Sequence, residues 1–113
     1  MTTAERIKAA LDPLGYSVTR LEYDDDLPPP EGEAWITFFI YQERPSLHAS
    51  GQLMRETHHF QVDLWTMSAI DPLKAKIKAA LRGAGFCVSV LSESREADSI
   101  YHVPFDCLAA VEV

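Results

Sequence analysis

The stretch from Ala34 to Trp65 constrains the fold of this chain more than any other segment. It has the pattern of a long antiparallel hairpin, with one arm from Trp35 to Tyr41 and a returning arm from His59 to Trp65. Both arms are rich in β-branched and aromatic residues, which suit a pleated, packed surface. The residues between them, 42–56, are polar, and we expect a long hairpin loop there, of the kind that is functional or disordered.

The first arm of this hairpin is apolar on both of its faces. The residues of one face are Ile36, Phe38 and Ile40, and those of the other are Trp35, Thr37, Phe39 and Tyr41. A strand with one face in water alternates apolar with polar side chains. We therefore expect this arm to be covered on both sides.

Two short helices can cover one face of a small sheet but hardly two. If both helices pack on the Ile36 face, an aromatic patch remains on the other face, and large exposed apolar patches mark interfaces. A subunit interface is therefore predicted at Trp35, Phe39, Tyr41 and Trp65. The alternatives are that the helices lie on opposite faces, or that the proline-rich segment 24–33 folds over the patch.

Length and charge limit the class of protein. The 113 residues, 47% of them hydrophobic, predict a single domain over 1–113 that needs no metal or disulfide. The net charge of -7 argues against nucleic acid or an anionic membrane as the main partner, because both require a basic surface. The N-terminus lacks a signal-peptide pattern, and no apolar run approaches the roughly 20 residues of a membrane span. We expect a cytoplasmic protein where it is made.

The N-terminal segment has the apolar spacing of an amphipathic helix. Thr2 and Glu5 form a capping-box pattern, Gly15 can supply the left-handed residue beyond the end, and Pro13 suggests closure at Asp12. A strand is expected to follow over 16–23.

A second helix is predicted from Asp71 to about Arg82. Asp71 is expected to cap the free amides, with Pro72 at the first helical position. Lys74, Lys78 and Arg82 are spaced by four and form a basic stripe. This stripe either complements the helix dipole or docks the acidic loop of a neighbouring subunit.

The segment 24–33 contains three prolines and five acids, and it is predicted to be an extended, solvated loop. Asp24, Asp25 and Asp26 are candidates for contact with a basic partner, and plain solvation is the alternative.

Two strands are predicted near the C-terminus, at 86–91 and from 100 onward, with a polar turn at 92–99 between them. Pro104 lies inside the last strand, which places that strand at an edge or a bulge. The order α-β-β-β-α-β-β predicts an α+β domain with two helices and an antiparallel sheet of four to five strands.

No catalytic motif is present in the sequence. Nucleophile elbows, phosphate-binding glycine loops and dinucleotide fingerprints are all missing. His58 and His59 are adjacent on a strand and leave opposite faces, so they cannot bind one metal together. Asp63 is expected to be a surface residue of its strand. We expect no enzyme activity, no metal and no cofactor.

A hydrophobic pattern over most of the chain resembles tail completion or tail terminator proteins of long-tailed bacteriophages and prophages. The residues that carry it are Phe60, Val62, Asp63, Leu64, Trp65, Leu73, Ile77, Leu81, Gly85 and Phe86. Those proteins similarly begin with a helix, join two strands by a long loop, and repeat a helix followed by a strand. The acidic, triple-proline segment has no counterpart in this resemblance.

The resemblance implies a non-enzymatic protein that forms a ring, commonly a hexamer, at the head-proximal end of the tail tube. Its partners would be further copies of itself, the tail tube protein and the head connector protein. It would be found in the host bacterial cytoplasm during assembly and then in the virion tail. The acidic loop and the basic stripe would supply the two different surfaces that a ring requires.

The hairpin loop would then line the lumen or contact the tail tube through Arg44, His48, Gln52 and Arg55. Two other classes remain open. One is a different head-tail joining or tail-tube component, and the other is a small ligand-binding domain or enzyme.

Overall fold

The computed structural model describes residues 1–22, 32–97 and 99–112. In chain order the elements of the described residues are α1 (Thr3–Leu11), a 3-10 turn (Asp12–Leu14), β1 (Ser17–Arg20), β2 (Ala34–Ala49), β3 (Gln52–Thr66), α2 (Ile70–Gly83), β4 (Cys87–Val90), β5 (Ser94–Ala97) and β6 (Ile100–Glu112).

The strands form one mixed sheet in the order β1-β2-β3-β6-β4, and β5 also pairs with β6. The α+β class and the two helices are as predicted, but the purely antiparallel sheet of four to five strands is wrong. Strands β1 and β2 are parallel, and the direction in which two strands pair is not encoded in the alternation along either one. The sixth strand is β5, which lies in the segment predicted as a polar turn. Polar residues can form a strand there because the hydrogen bonds between strands join backbone groups.

The prediction of a long loop over 42–56 is wrong. Strands β2 and β3 continue as a paired ladder to a two-residue turn at Ser50 and Gly51, which have φ of 53° and 75°. Positive φ at both central residues is typical of the tight hairpin turns that match strand twist. Polar side chains do not prevent pairing here, since the backbone makes the ladder and both faces of this segment are largely exposed.

The hydrophobic core lies between the helices and one face of the sheet. Both helices pack on the face of Ile36 and Phe38. This is one of the two arrangements that the sequence left open, the other being helices on opposite faces. The helical members of the core are Ile7, Leu11, Leu73, Ile77 and Leu81. Each such buried side chain stabilises the fold by about 1.5–3 kcal/mol relative to exposure. The opposite face of the sheet therefore lacks this helical cover.

The helix ends show one correct and one wrong prediction. The capping box of α1 forms, with Glu5 N–H donating to Thr2 Oγ1 over 3.1 Å and Thr2 N–H donating to Glu5 Oε1 over 3.0 Å. Asp71 does not cap α2, because this helix begins earlier, with Ala69 at its N-cap. Asp71 lies instead in the first turn, where its charge complements the helix dipole.

Pro104 lies in β6, which is an interior strand between β3 and β4, so the expected edge position is wrong. Its carbonyl accepts a hydrogen bond from Leu91 N–H at 3.0 Å, where the chain leaves β4. A strand residue directs its N–H and C=O to the same side. The missing donor of Pro104 therefore faces the break between β4 and β5, and the ladder with β3 is intact.

None of the helices in the described ranges is long and apolar enough to span a membrane.

Candidate functional site

The candidate site comprises the sheet face opposite the core, here called the second face, and the projecting end of the β2–β3 hairpin. Register across three strands defines the second face. Its described members on β2, β3 and β6 include Trp35, Thr37, Phe39, Tyr41, His59, Gln61, Asp63, Trp65, His102 and Asp106. The strand pattern predicted that Thr37, Phe39 and Tyr41 share a face with Trp35, and the pairing with β3 and β6 adds the other members.

Trp35, Trp65 and His102 lie side by side across β2, β3 and β6. The two indoles are stacked with centroids 6.5 Å apart, and Trp65 stacks on the His102 ring at 4.1 Å. Trp65 Nε1–H donates to Thr37 Oγ1 over 3.0 Å. Only 6% of Trp35 and 9% of Trp65 is exposed. The two indoles are therefore buried within the chain itself, and the interface predicted at these tryptophans stays a prediction.

Asp63 is the centre of a polar network beside the tryptophans. It is 4% exposed, so the expectation of a surface aspartate is wrong. Its Oδ1 accepts from His102 Nε2 at 2.6 Å and from Gln61 Nε2 at 2.7 Å. The other nitrogen of His102 lies 3.2 Å from Glu96 Oε1.

These contacts determine the protonation of His102. Desolvation lowers its pKa, but the hydrogen bonds and charges of Asp63 and Glu96 raise it by more, and the pKa lies above the ordinary value of 6.5. Both ring nitrogens face carboxylates, so neither is free to accept a proton from a substrate. The arrangement is suited to linking β5 and β3 through the imidazole of His102, since Glu96 lies on β5 and Asp63 on β3.

Phe39 and Tyr41 form the accessible aromatic part of the second face. Tyr41 is 50% exposed and Phe39 is half-buried, with ring centroids 6.2 Å apart. Tyr41 O–H donates to Asp106 Oδ1 at 2.7 Å, and this bond raises the pKa of Tyr41 to about 12. The predicted interface patch therefore retains two of its four aromatic residues as accessible surface.

Among the described residues, strand β2 has an unpaired edge beside this aromatic pair. Strand β1 pairs with β2 only up to Phe38, where Leu21 N–H donates to the Phe38 carbonyl at 2.8 Å. Beyond Phe38, no strand among the described residues pairs with this side of β2. Unpaired strand edges are templates for adding a further strand.

The far end of the hairpin projects beyond the rest of the sheet. The last pair between β3 and β6 is Arg55 with Glu112, so the tip is a two-stranded ribbon. The four residues predicted to contact the tail tube, namely Arg44, His48, Gln52 and Arg55, are all exposed. His48 and Gln52 lie on this ribbon, whereas Arg44 and Arg55 lie at its base, where β6 still pairs with β3. The apolar side chains of Leu47 and Met54 are 46% and 43% exposed there. The tip thus presents basic, polar and apolar groups to a partner.

The predicted basic stripe lies on the solvent side of α2. Lys74 is engaged within the chain, with Nζ 2.8 Å from Glu93 Oε1 and 3.9 Å from Asp71 Oδ1. Lys78 is half-buried and Arg82 is exposed. Asp24, Asp25 and Asp26, the predicted counterpart of the stripe, lie outside the described residues.

No protein-family model matches this chain, and no curated protein matches it. Solved structures do share its fold. All of the chain aligns with 57% of the PVC sheath/tube terminator of an extracellular contractile injection system in its extended state, with a TM-score of 0.55 and 12% sequence identity. The chain has the fold of this terminator. It spans little more than half of that protein's length.

A second match is to a chain from the virion of a native gene transfer agent particle. This match covers 95% of the present chain and 84% of the other, with a TM-score of 0.44 and 17% identity. The injection-system terminator alone carries the fold comparison, and its fold agrees with the one that the resemblance to tail terminator proteins implied.

Sequence reasoning missed the network of Asp63, Gln61 and His102. The available signal was weak, because a buried aspartate on an alternating strand has the same pattern as an exposed one. The partner lies 39 residues away on β6, and only the strand register brings the two side chains together.

Proposed function

We propose that this protein is a non-enzymatic structural component of a phage-like tail, which caps the tail tube as a ring and joins it to the head connector. It would act with copies of itself, the tail tube protein and the connector protein, and not with nucleic acid or a membrane. It would assemble in the cytoplasm of the bacterial host and remain in the virion tail.

The observation that supports this proposal is an agreement between sequence and fold. The hydrophobic pattern from Phe60 to Phe86 resembles tail terminator proteins, and the whole chain aligns in fold with a sheath/tube terminator. Ring size and the identity of the neighbouring proteins belong to the proposal.

A ring requires each subunit to present two different, complementary surfaces. We assign the first to the open edge of β2 together with Phe39 and Tyr41, where backbone groups and aromatic surface are both available. The second consists of Lys78 and Arg82 on α2, for which Asp24–Asp26 of the neighbouring subunit would supply the opposite charge. Trp35 and Trp65, which lie on the same face of the sheet, would support the first surface from the side.

The hairpin tip is assigned to contact with the tail tube or the ring lumen. All four residues, Arg44, His48, Gln52 and Arg55, are exposed. His48 and Gln52 lie on the two-stranded ribbon, and Arg44 and Arg55 lie at its base, where β6 pairs with β3. Two-stranded ribbons are only marginally stable alone, so contact with a partner would order this tip further.

A non-enzymatic role agrees with the His102 site. A histidine whose two nitrogens both bind carboxylates lacks the free lone pair of a general base. The residues around His102 on the second face stabilise the sheet. In the described part of the site, no hydroxyl or thiol group is a hydrogen-bond partner of His102.

Native mass spectrometry combined with negative-stain imaging tests the assembly. We expect closed rings of defined copy number at micromolar concentration. A protein that remains monomeric at that concentration would overturn the ring, and open stacks would favour the tail-tube alternative.

Charge reversal tests the second surface. The double variant Lys78→Glu/Arg82→Glu is expected to abolish rings while leaving the far-UV circular dichroism spectrum unchanged. Lys76→Glu is the matched control, because Lys76 is exposed on the same helix but lies off the stripe. Intact rings in the double variant, or equal loss in the control, would contradict the assigned surface.

A further inference from the structure

Glu43, Glu56 and His58 form a cluster on the hairpin, on the side of the sheet that carries the helices. Glu43 on β2 lies directly opposite His58 on β3, and Glu56 precedes His58 by two residues. Because side chains alternate along a strand, all three leave the same face. One ligand atom from each lies within 4.8 Å of the other two.

The imidazole of His58 is held in a fixed orientation. The residue is 8% exposed, and its Nδ1 lies 2.6 Å from the hydroxyl of Thr3 in the first turn of α1. Its Nε2 is directed toward Glu56 Oε2 at 2.8 Å. Histidines that bind metals are oriented in this way, by a hydrogen bond on the nitrogen that does not coordinate.

The charges around His58 favour a cation. Two carboxylates face one imidazole, since Glu43 Oε1 lies 3.8 Å from Nδ1 while Glu56 occupies the other nitrogen. Even a protonated His58 balances only one of the two negative charges. The basic side chain that shares the adjoining cavity, Arg20, has its Nε 3.9 Å from Glu22.

Space for an ion and its water ligands adjoins the cluster. A cavity of about 340 Å³ is lined by residues 1–4 of the α1 start and by Arg20, Ile40, Glu43, His58 and Val111. The positive end of the α1 dipole lies at this cavity, which disfavours ions held by charge alone. A borderline-soft transition-metal ion, which bonds to imidazole nitrogen, suits the donor set better than Mg²⁺ or Ca²⁺.

We propose that Glu43, Glu56 and His58 bind a divalent transition-metal ion such as Zn²⁺. His58 Nε2 and one oxygen from each carboxylate are the ligands, and water completes the coordination, as in open zinc sites with three protein ligands. The Nδ1–H of His58 then donates to Thr3 Oγ1. An ion at this position ties β2 to β3 and, through Thr3, to α1.

This proposal replaces the expectation that the chain binds no metal. The argument that His58 and His59 cannot share an ion still holds, because they leave opposite faces. That argument did not consider Glu43 and Glu56, because the sequence predicted both to lie in a loop. The pairing of β2 with β3 brings them beside His58.

Zinc binding to the full chain, without a histidine tag and after chelator treatment, tests the site by titration calorimetry and native mass spectrometry with ZnCl₂. We expect one Zn²⁺ per chain and binding at least tenfold weaker in Glu43→Gln and in His58→Asn. His59→Asn is the matched control and should keep the wild-type affinity. The measurement is independent of ring formation.

Because His58 is buried, His58→Asn could unfold the protein. Glu43 has an exposed side chain, so Glu43→Gln should fold, which circular dichroism verifies, and it keeps the test decisive. Failure of the wild-type chain to bind Zn²⁺ stoichiometrically would overturn the proposal. So would equal losses of affinity in His59→Asn and Glu43→Gln.

Discussion

The imidazole of His102 lies flat against the indole of Trp65, with ring centroids 4.1 Å apart and planes 4° from parallel. Asp63 and Glu96 hydrogen-bond the two nitrogens of the same imidazole. A protonated imidazole on an indole face gains a cation–π attraction in addition to these charge-assisted bonds. The stack therefore couples the charge state of one residue to the packing of the second face.

Stability should depend on pH through His102. Its pKa in the folded protein is raised above 6.5, since Asp63 and Glu96 outweigh the opposing effect of desolvation. A raised pKa contributes stability that is fully present below the unfolded-state value of about 6.5. This contribution is lost as pH rises through the folded-state value. We expect the urea midpoint of the wild type to fall as the pH rises above about 6.5.

His102→Gln should flatten this part of the pH profile, because glutamine does not titrate. His48→Gln is the control, since His48 is exposed on the hairpin tip and makes no described contact with Asp63. Parallel pH profiles for the wild type and His102→Gln would contradict the prediction.

Trp65 should contribute to the stability of the isolated chain. The residue is 9% exposed, and its ring contacts Trp35 and His102. Trp65→Ala is expected to lower the free energy of unfolding by about 3–5 kcal/mol, the usual cost of removing a buried aromatic side chain. Equilibrium urea unfolding, followed by circular dichroism at a concentration where the chain is monomeric, measures it.

Tyr41→Ala provides the comparison. Because Tyr41 is 50% exposed, this substitution should lower the free energy of unfolding clearly less than Trp65→Ala does. If Trp65→Ala changed the unfolding free energy by no more than about 0.5 kcal/mol, as surface substitutions do, the residue would be an interface residue and not a structural one.

The hairpin turn should respond in opposite directions to two substitutions. Ser50 and Gly51 both have positive φ, for which Asn-Gly is the preferred pair. Ser50→Asn should stabilise the tip, whereas Gly51→Val should destabilise it by about 1–3 kcal/mol, because a β-branched residue is strained at positive φ. Hydrogen exchange of the tip amides is the appropriate measurement, since the ribbon can open locally without global unfolding.

We expect slower exchange in Ser50→Asn and faster exchange in Gly51→Val for the amides of the ribbon. The core amides of β6 serve as an internal reference and should keep their wild-type rates. Unchanged tip exchange in both variants would show that the turn does not adopt this conformation in solution.

Local chemistry accounts for the features that could be predicted from the sequence. The capping box of Thr2 and Glu5 and the left-handed Gly15 depend on neighbours within a few residues, and the structure has both. Alternation along a single strand also grouped Ile36 with Phe38, but it left open whether both helices cover their face, as the structure has it. Pattern alone placed Phe39 and Tyr41 on the opposite face as well.

What the sequence determined by itself was the α+β class and the two helices, because capping and periodicity are encoded within short segments. Only the tertiary structure decided the parallel β1, the full length of the hairpin, the burial of Trp65 and the meeting of Glu43 with His58. These features depend on strand register, which pairs residues far apart in the chain through backbone hydrogen bonds that carry no side-chain signature.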